Sequence, residues 1–186
     1  MSFSLLIDSI DVGKIVQITN VDRGFAPEIE HSAFEYARRN GSRYAGVSRY
    51  QVRKITVEYV VSSDVDKKRY ALQKVVAKNQ ELKLIFGDEP DRYWLGRLNG
   101  ESAFNKVTGK YAKGFWTFLC FYPFALSTTV KQATRKQNRL EFVNEGTAET
   151  WPVYEFLAGS ALKMIAFSHP NGRVVQYGYE SGEAVI

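Results

Sequence analysis

Apolar and polar residues alternate most regularly in the stretch that follows Lys54. Apolar side chains occupy every second position from Ile55 to Val61, and the positions between them begin with Thr56 and Glu58. Successive side chains of a β-strand point to opposite faces of the sheet, so this alternation predicts a strand with one buried face.

The spacing changes after this strand, where Ser-Ser-Asp at 62–64 and Asp66 favour the start of a helix. Such residues cap the first backbone N–H groups and place carboxylates at the positive end of the helix dipole. We predict a helix from Asp64 to about Asn79, with Lys78 pointing to solvent. Because a helix of this length is marginal alone, its apolar stripe must dock on a sheet. The stripe comprises Val65, Leu72, Val75 and Val76.

Two later segments predict more strands. Residues 82–86 and 93–98 flank a Gly- and Asp-rich turn, a pattern typical of a hairpin with a loop of about five residues. The sequence GFWTFLCFY at 114–122 is apolar on both alternating faces, with Trp116 and Phe118 on one face and Phe115, Leu119 and Phe121 on the other. A strand of this kind either runs through the middle of a sandwich or is covered by a neighbouring subunit.

The stretch from Asp22 to Arg53 has little periodicity and carries many aromatic and basic side chains. We interpret it as a long excursion that contacts a partner, because Arg and Tyr are frequent hot spots of protein interfaces. Its Arg–Tyr interleaving would also suit nucleic acid, but we favour the protein interface. The candidate interface residues are Arg23, Phe25, Phe34, Tyr36, Arg38, Arg39, Arg43, Tyr44 and Tyr50, together with Trp116 and Phe118.

Composition places the chain among ordinary globular proteins. Its 186 residues are 45% hydrophobic and 14% aromatic, which favours a β-rich protein of one domain or of one domain and part of a second. A net charge of +5 indicates solubility rather than a particular partner. The N-terminal segment predicts neither a signal peptide nor a membrane span. We expect Cys120 to be a buried, small apolar residue.

Candidate chemistry is sparse. The sequence has no phosphate-binding glycine loop, nucleophile elbow or paired cysteine motif. His31 lies near Glu28 and Glu30 but is more simply an interface or surface histidine, and the acidic residues of 88–91 are more simply a solvated turn than a Ca²⁺ site. We therefore predict no catalytic residue, cofactor or metal, and a protein that is not an enzyme.

The basic, polar stretch from Ser127 to Arg139 is the best candidate for a linker. We predict a first domain at 1–126, a linker at 127–139 and a partial second domain at 140–186. A piece as short as the last one seldom buries enough surface to be stable alone, so it must pack on the first domain or on a partner, or be half of something larger.

Several landmarks in this order resemble one protein family. They are the turn Asn40–Arg43 before RKITVEYVV and its capped helix, the hairpin LIFGDEPDRYWLGRLNG and the strand GFWTFLCFYPFA. Together they resemble the N-terminal domain of siphophage distal tail proteins, over roughly residues 1–126. The sequence NEGTAETWPVYEF resembles the opening strands of the galectin-like β-sandwich that follows in that family.

The resemblance implies a mostly β fold: an α+β N-terminal domain with a β-sandwich, one helix and an extended hairpin, then part of a galectin-like β-sandwich. It implies a structural virion component at the phage tail tip, synthesised in the bacterial host cytoplasm and without a membrane partner. Six copies would form a ring, with the excursion at 22–53 supplying contacts, and this hexamer would serve as a baseplate hub. The chain ends at Glu183–Ile186, where the family usually continues to complete its second sandwich.

The implied partners are the tail tube protein, the tail-associated hub or lysin protein and receptor-binding components. DNA would pass through the lumen without specific binding. An alternative function is a carbohydrate-binding β-sandwich adhesion module, suggested by Trp94, Trp151 and Tyr154.

Overall fold

The computed structural model describes residues 3–35, 40, 42–132, 143–148, 153, 155, 164–168 and 174–178. The chain divides into two compact units, Met1–Phe142 and Val143–Ile186. In the described ranges the structure is mostly antiparallel β with one α-helix, which confirms the predicted fold class.

The first unit contains eleven described strands and the helix α1 (Val65–Val76), which lies between the sixth and seventh strands. The strands are β1 (Leu5–Ile7), β2 (Ile10–Asp11), β3 (Gln17–Asp22), β4 (Ile29–Glu35), β5 (Ser42–Tyr50), β6 (Arg53–Val61), β7 (Leu82–Phe86), β8 (Arg92–Leu98), β9 (Ala103–Thr108), β10 (Tyr111–Cys120) and β11 (Leu126–Ser127). A single 3-10 turn, Val12–Lys14, follows β2.

Nine of these strands form one antiparallel sheet. Its path runs β2, β1, β7, β8, β10, β6, β3, while β9 adds to β10 and β11 adds to β8. Phe3, just before β1, bridges Ile18 on β3 at the other end of the path. The sheet therefore curls until its two ends meet, and we call this closed body the barrel.

The core of the first unit combines the inward faces of the strands with the stripe of α1. Every second residue of β6 from Ile55 is buried, which confirms the predicted alternation. The four predicted stripe residues of α1 are buried in the same cluster, as expected for a helix docked on a sheet. Burial raises the pKa of the Cys120 thiol to about 11, and the side chain is fully buried, as predicted.

The two ends of α1 differ from the prediction. The capping residue Asp64 adopts a left-handed conformation (φ 46°) and its side chain accepts no capping hydrogen bond, so the predicted side-chain cap was wrong. At the other end the helix stops at Val76, because Ala77 leaves the helical backbone conformation. The side chain of Lys78 does not extend into solvent; it donates to the Asp8 carboxylate at 2.8 Å.

The strand β10 runs through the interior of the sheet, with β6 on one side and β9 and β8 on the other. Trp116 and Phe118 point into the core and are almost fully buried. Including Trp116 and Phe118 among the interface residues was therefore wrong, because their side chains have no surface to offer a neighbour. The opposite face is less covered, since Phe115 and Leu119 are half-buried and Phe121 is 57% exposed, so cover of that face by a neighbouring subunit stays a prediction.

The predicted excursion at 22–53 is more regular than its sequence suggested. Most of its described residues belong to β4 and β5, which form a separate two-stranded antiparallel sheet that we call the ribbon. The ribbon is inserted between β3 and β6, which pair with each other directly, with Asp22 opposite Thr56.

The second unit contributes one described sheet, the antiparallel pair β12 (Met164–Ser168) and β13 (Val174–Gly178). The domain boundaries at 126 and 140 and the galectin-like fold of the second unit stay predictions.

Candidate subunit interface

The ribbon is open to solvent along its described length. All seven side chains of β4 are exposed, and the described side chains of β5 are exposed apart from the half-buried Ala45. Within the described part of the chain, β4 and β5 pair only with each other. Because an isolated two-stranded hairpin is marginally stable in water, a ribbon of this length needs a further surface to pack on.

One face of the ribbon carries Ile29, Tyr44 and Tyr50, and we call it the aromatic face. The strand register places Ile29 opposite Tyr50, His31 opposite Ser48, and Ala33 opposite Tyr44. These residues share a face because side chains two positions apart point the same way. The rings of His31 and Tyr44 confirm this placement, since they meet edge to face with centroids 5.7 Å apart.

The opposite face carries the Glu30–Arg49 pair, and we call it the charged face. There Glu30 lies opposite Arg49, and Phe34 lies opposite Arg43. Glu30 also accepts a hydrogen bond from the Gln51 side chain at 2.5 Å. The separation of the two faces is incomplete, because the exposed Phe34 lies on the charged face and Glu35 lies on the aromatic face.

Ser48 organises the middle of the aromatic face. Its hydroxyl lies 2.6 Å from the Tyr44 hydroxyl and 2.9 Å from Nδ1 of His31. Beside it, a bulge sets three residues of β5 opposite Ser32, and Gly46 within the bulge has a φ of 77°. Glycine adopts this conformation without steric cost, so the bulge can redirect the strand and hold Tyr44 against His31.

At its base the aromatic face continues onto the barrel. The ring of Tyr50 meets that of Phe124 edge to face at 4.9 Å, and Phe124 meets Tyr122 at 5.7 Å. Phe124 is half-buried, whereas Tyr50 and Tyr122 remain exposed. Contacting aromatic rings thus extend from Tyr50 on the ribbon to Tyr122 on the barrel.

Arg53 links the chain segment that leads into the ribbon with the strand that follows the ribbon. Its Nε donates to the carbonyl oxygen of Arg23 and its Nη2 to that of Gly24, both at 2.7 Å, while Nη1 donates to that of Pro123 at 3.4 Å. The guanidinium also lies over the buried ring of Trp94, 4.6 Å from its centroid. Partial burial lowers the pKa of Arg53, but an arginine remains charged at neutral pH.

Arg23 attaches the segment before the ribbon to a second part of the barrel. Its guanidinium pairs with the carboxylates of Asp88 and Glu89 in the turn between β7 and β8, the latter at 3.2 Å, and lies 5.0 Å from the Phe86 ring centroid. These contacts lie within its own subunit and leave the Arg23 side chain 22% exposed, so its contact with a neighbouring subunit stays a prediction. The acidic turn that sequence reasoning weighed as a Ca²⁺ site contains this pair.

The other predicted interface residues divide into two groups. The structure brings Phe34, Arg43, Tyr44 and Tyr50 together on the ribbon and leaves Phe25 fully exposed just before it. Tyr36, Arg38 and Arg39 lie outside the described residues. Sequence reasoning missed Ile29 and Phe124, whose roles depend on strand register, and Arg53, whose role depends on three carbonyl groups that no sequence pattern brings together.

The described ranges contain neither a candidate metal site nor a helix suited to crossing a membrane. Those residues contain no group of three or more His, Cys, Asp and Glu side chains that could hold a metal ion. Among the same residues, no helix combines the length and apolar character that a membrane crossing requires.

Comparison with known proteins identifies relatives of the first unit. Residues 11–120, more than half of the chain, match the family model described as phage tail protein RIFT-related domain. None of the curated proteins matches the chain.

A solved structure also matches, that of the SPP1 Dit protein (gp 19.1), described as a paradigm of the hub adsorption apparatus in phages that infect Gram-positive bacteria. The TM-score is 0.60 at 19% sequence identity, and the match covers 68% of this chain and 53% of that one. The chain thus spans about half the length of the Dit chain, and at this identity the likeness shows a shared fold.

Proposed function

The chain belongs to the phage tail protein family with the RIFT-related domain, and from this premise we propose that it forms a ring, of six copies, joining the tail tube of a siphophage to its baseplate and host-adsorption apparatus. The ribbon of each copy would contact the next copy. Such a contact is heterologous, since one patch meets a different patch, and it closes when the rotation between neighbours divides a full turn.

The observation that carries this proposal is the exposed aromatic face. Tyr44 and Tyr50 are 60% and 57% exposed, and Ile29 is exposed beside them. Burying such side chains contributes about 1.5–3 kcal/mol for each one that becomes fully covered. This gain would also stabilise a ribbon that has little support within its own subunit.

We propose that the aromatic face is the one that contacts a second copy. Tyrosine is enriched at interface hot spots, because it contributes large contact area with few rotatable bonds. Burial of the charged face would instead desolvate Glu30 and Arg49, at a cost that their mutual attraction offsets only with good geometry. The charged face then stays in solvent or at the rim of the contact.

The same proposal covers the partners and the location. The ring would bind the tail tube protein, the tail-associated hub or lysin protein and receptor-binding components, the last through the second unit. It would lie in the virion at the tail tip after synthesis in the host cytoplasm, with DNA passing through its lumen, and would act structurally rather than as an enzyme. Of the residues that suggested the carbohydrate-binding alternative, Trp94 is only 7% exposed and cannot stack on a sugar, whereas Trp151 and Tyr154 lie outside the described residues.

Light scattering with negative-stain imaging of the purified chain tests the ring. The expected result is one discrete mass with particles of a single rotational order. A strictly monomeric chain at the concentrations of assembly, alone and together with tail tube protein, would contradict the proposal.

Substitutions on the two faces of the ribbon test which one makes the contact. We expect Tyr44→Ala to weaken assembly by about 2 kcal/mol per contact, the size of a typical hot spot, or about thirtyfold in dissociation constant. Arg49→Ala on the charged face is the matched control and should cost less than about 1 kcal/mol. Concentration-dependent sedimentation measures both, and equal losses would contradict the assignment of the aromatic face.

A further inference from the structure

Resting on the ring proposed above, we propose that Arg53 is the positioning residue that sets the direction in which the ribbon leaves the barrel. Through that direction it would determine whether successive copies close into a ring. Arg53 need not touch the neighbouring copy, because it acts through the ribbon.

The position of Arg53 in the chain is the first step. The chain leaves the barrel through Arg23 and Gly24, forms the ribbon and re-enters the barrel at Arg53, the first residue of β6. From this position the Arg53 guanidinium donates to the carbonyl oxygens of Arg23 and Gly24. A third bond reaches Pro123, beside the aromatic residue that supports Tyr50. One side chain at the start of β6 thus connects the segment that leads into the ribbon with the segment that follows β10.

Rigidity is the second step. The guanidinium is stacked on Trp94, whose ring is held in the core, so the plane of the three donor nitrogens has a defined orientation. Arginine presents donors in a flat fork, whereas lysine presents one flexible ammonium group that cannot match this set of carbonyl groups. The ion pairs of Arg23 with the β7–β8 turn hold the departing segment in the same place.

Geometric amplification is the third step. β5 has nine residues, so it is about 30 Å long at ~3.3 Å per residue. A tilt of about 10° at its base would move its far end by about 5 Å, more than the distance between contacting side chains. Small changes at Arg53 therefore become large changes at the point where a neighbour is met.

The test compares Arg53→Lys with Arg97→Lys in the full chain. Arg97 is an exposed residue of β8, so its substitution controls for the loss of a guanidinium. We expect Arg53→Lys to lose closed rings and give open or mixed assemblies, while Arg97→Lys keeps the rings of the unsubstituted chain. Closed rings of unchanged rotational order in Arg53→Lys would overturn the inference.

A distance measurement gives a readout that a merely structural role would not change. Spin labels at Glu35→Cys on the ribbon and Lys67→Cys on α1 report the direction of the ribbon, in labelled chains diluted with an excess of unlabelled chain. Both sites are exposed, whereas the native Cys120 is fully buried and escapes labelling. We expect a narrow distance distribution that broadens or shifts with Arg53→Lys while the thermal unfolding midpoint of the barrel stays within a few degrees.

The outcomes separate this inference from the proposed function. An unchanged distance distribution in Arg53→Lys overturns the inference and leaves the ring standing, as does a loss of rings that merely follows a fall in the unfolding midpoint. If the unsubstituted chain forms no rings, the proposed function is overturned. The proposed effect of Arg53 on ring closure then falls with it. If the lysine variant fails to fold, Arg53→Gln replaces it, because a neutral amide avoids leaving a charge in a half-buried site.

Discussion

At the residue scale, packing is close where Gly114 of β10 lies opposite Tyr59 of β6. The Tyr59 ring stacks on Trp116 with centroids 4.1 Å apart, and its hydroxyl donates to the carbonyl oxygen of Ala103 at 3.3 Å. Burial raises the pKa of Tyr59 to about 12, so it remains a neutral donor under ordinary conditions. No side chain larger than hydrogen fits at 114 without moving this ring.

We therefore expect Gly114→Ala to lower the free energy of unfolding by about 1–3 kcal/mol, the usual cost of overpacking a core. An added Cβ would lie 2.4 Å from the Ala103 carbonyl oxygen and 2.6 Å from the Tyr59 hydroxyl. Gly100→Ala is the control, because a Cβ there meets nothing within 4 Å. Chemical denaturation compares the two, and equal losses would show that the Tyr59 packing does not restrict position 114.

The sequence predicted the environment of some residues and not of others, and the reason is physical. Cys120 and the alternating positions of β6 were predicted correctly, because burial inside one subunit leaves a pattern of apolar side chains. The role of Arg53 was missed, because a basic side chain looks the same in sequence whether it binds a partner or its own backbone. Only the folded chain brings three carbonyl groups to one guanidinium.

At the element scale, the link between Lys78 and Asp8 ties the segment after α1 to the turn between β1 and β2. The hydrogen bond from Lys78 lowers the pKa of the Asp8 carboxyl, partial burial opposes this effect, and the backbone N–H of Lys83 lowers the pKa further. A carboxyl group with a depressed folded pKa stabilises the fold above its unfolded pKa, about 3.9, and loses this contribution as pH falls through the folded value.

We expect Asp8→Asn to cost about 1 kcal/mol of unfolding free energy at neutral pH, since the charged hydrogen bond is partly exposed. The difference from the unsubstituted chain should shrink as pH falls below 3.9 and vanish below the folded pKa of Asp8. Urea denaturation at a series of pH values measures it, with Asp91→Asn as a control because its nearest cation lies 3.7 Å away in an exposed pair. A difference independent of pH would contradict the role of the Asp8 charge.

Among the elements, the ribbon was the hardest to predict. Its strands have no regular alternation of apolar and polar residues, because neither face packs on the core that would impose one. A bulge at Gly46 further shifts the register of the two strands. The helix α1 and the β7–β8 hairpin were predicted because their apolar positions meet the barrel core directly.

At the scale of the whole molecule, the barrel is topologically independent of the ribbon. β3 and β6 are neighbours in the sheet, so the ribbon occupies a connection that a short turn could make. We expect replacement of residues 24–52 by a short Gly–Ser linker to leave the barrel folded and to abolish ring assembly. Circular dichroism with cooperative thermal unfolding checks the barrel, and light scattering checks assembly.

An internal control sharpens this deletion experiment. The chain that carries both Tyr44→Ala and Tyr50→Ala keeps the ribbon but lacks the two large rings of its aromatic face. Loss of assembly in both chains is the expected result. Rings that persist in the deleted chain would place the subunit contacts elsewhere on the barrel.

The sequence was sufficient for the fold class and for the family resemblance, because these depend on the order of strands, helix and hairpin along 1–126. It was not sufficient for the candidate interface. Trp116 and Phe118 have the aromatic character of hot spots, yet they complete a core, and the residues that remain exposed, such as Phe25 and Ile29, are not distinguished from them by residue type.

The central place of β10 also has a consequence for synthesis on the ribosome. β10 joins β6 to β8, although it is translated well after both of them. A nascent chain that has not yet emerged as far as Cys120 therefore exposes two apolar strand edges that lack their shared neighbour. During that interval the growing polypeptide is most open to premature association with other nascent copies and most in need of a chaperone.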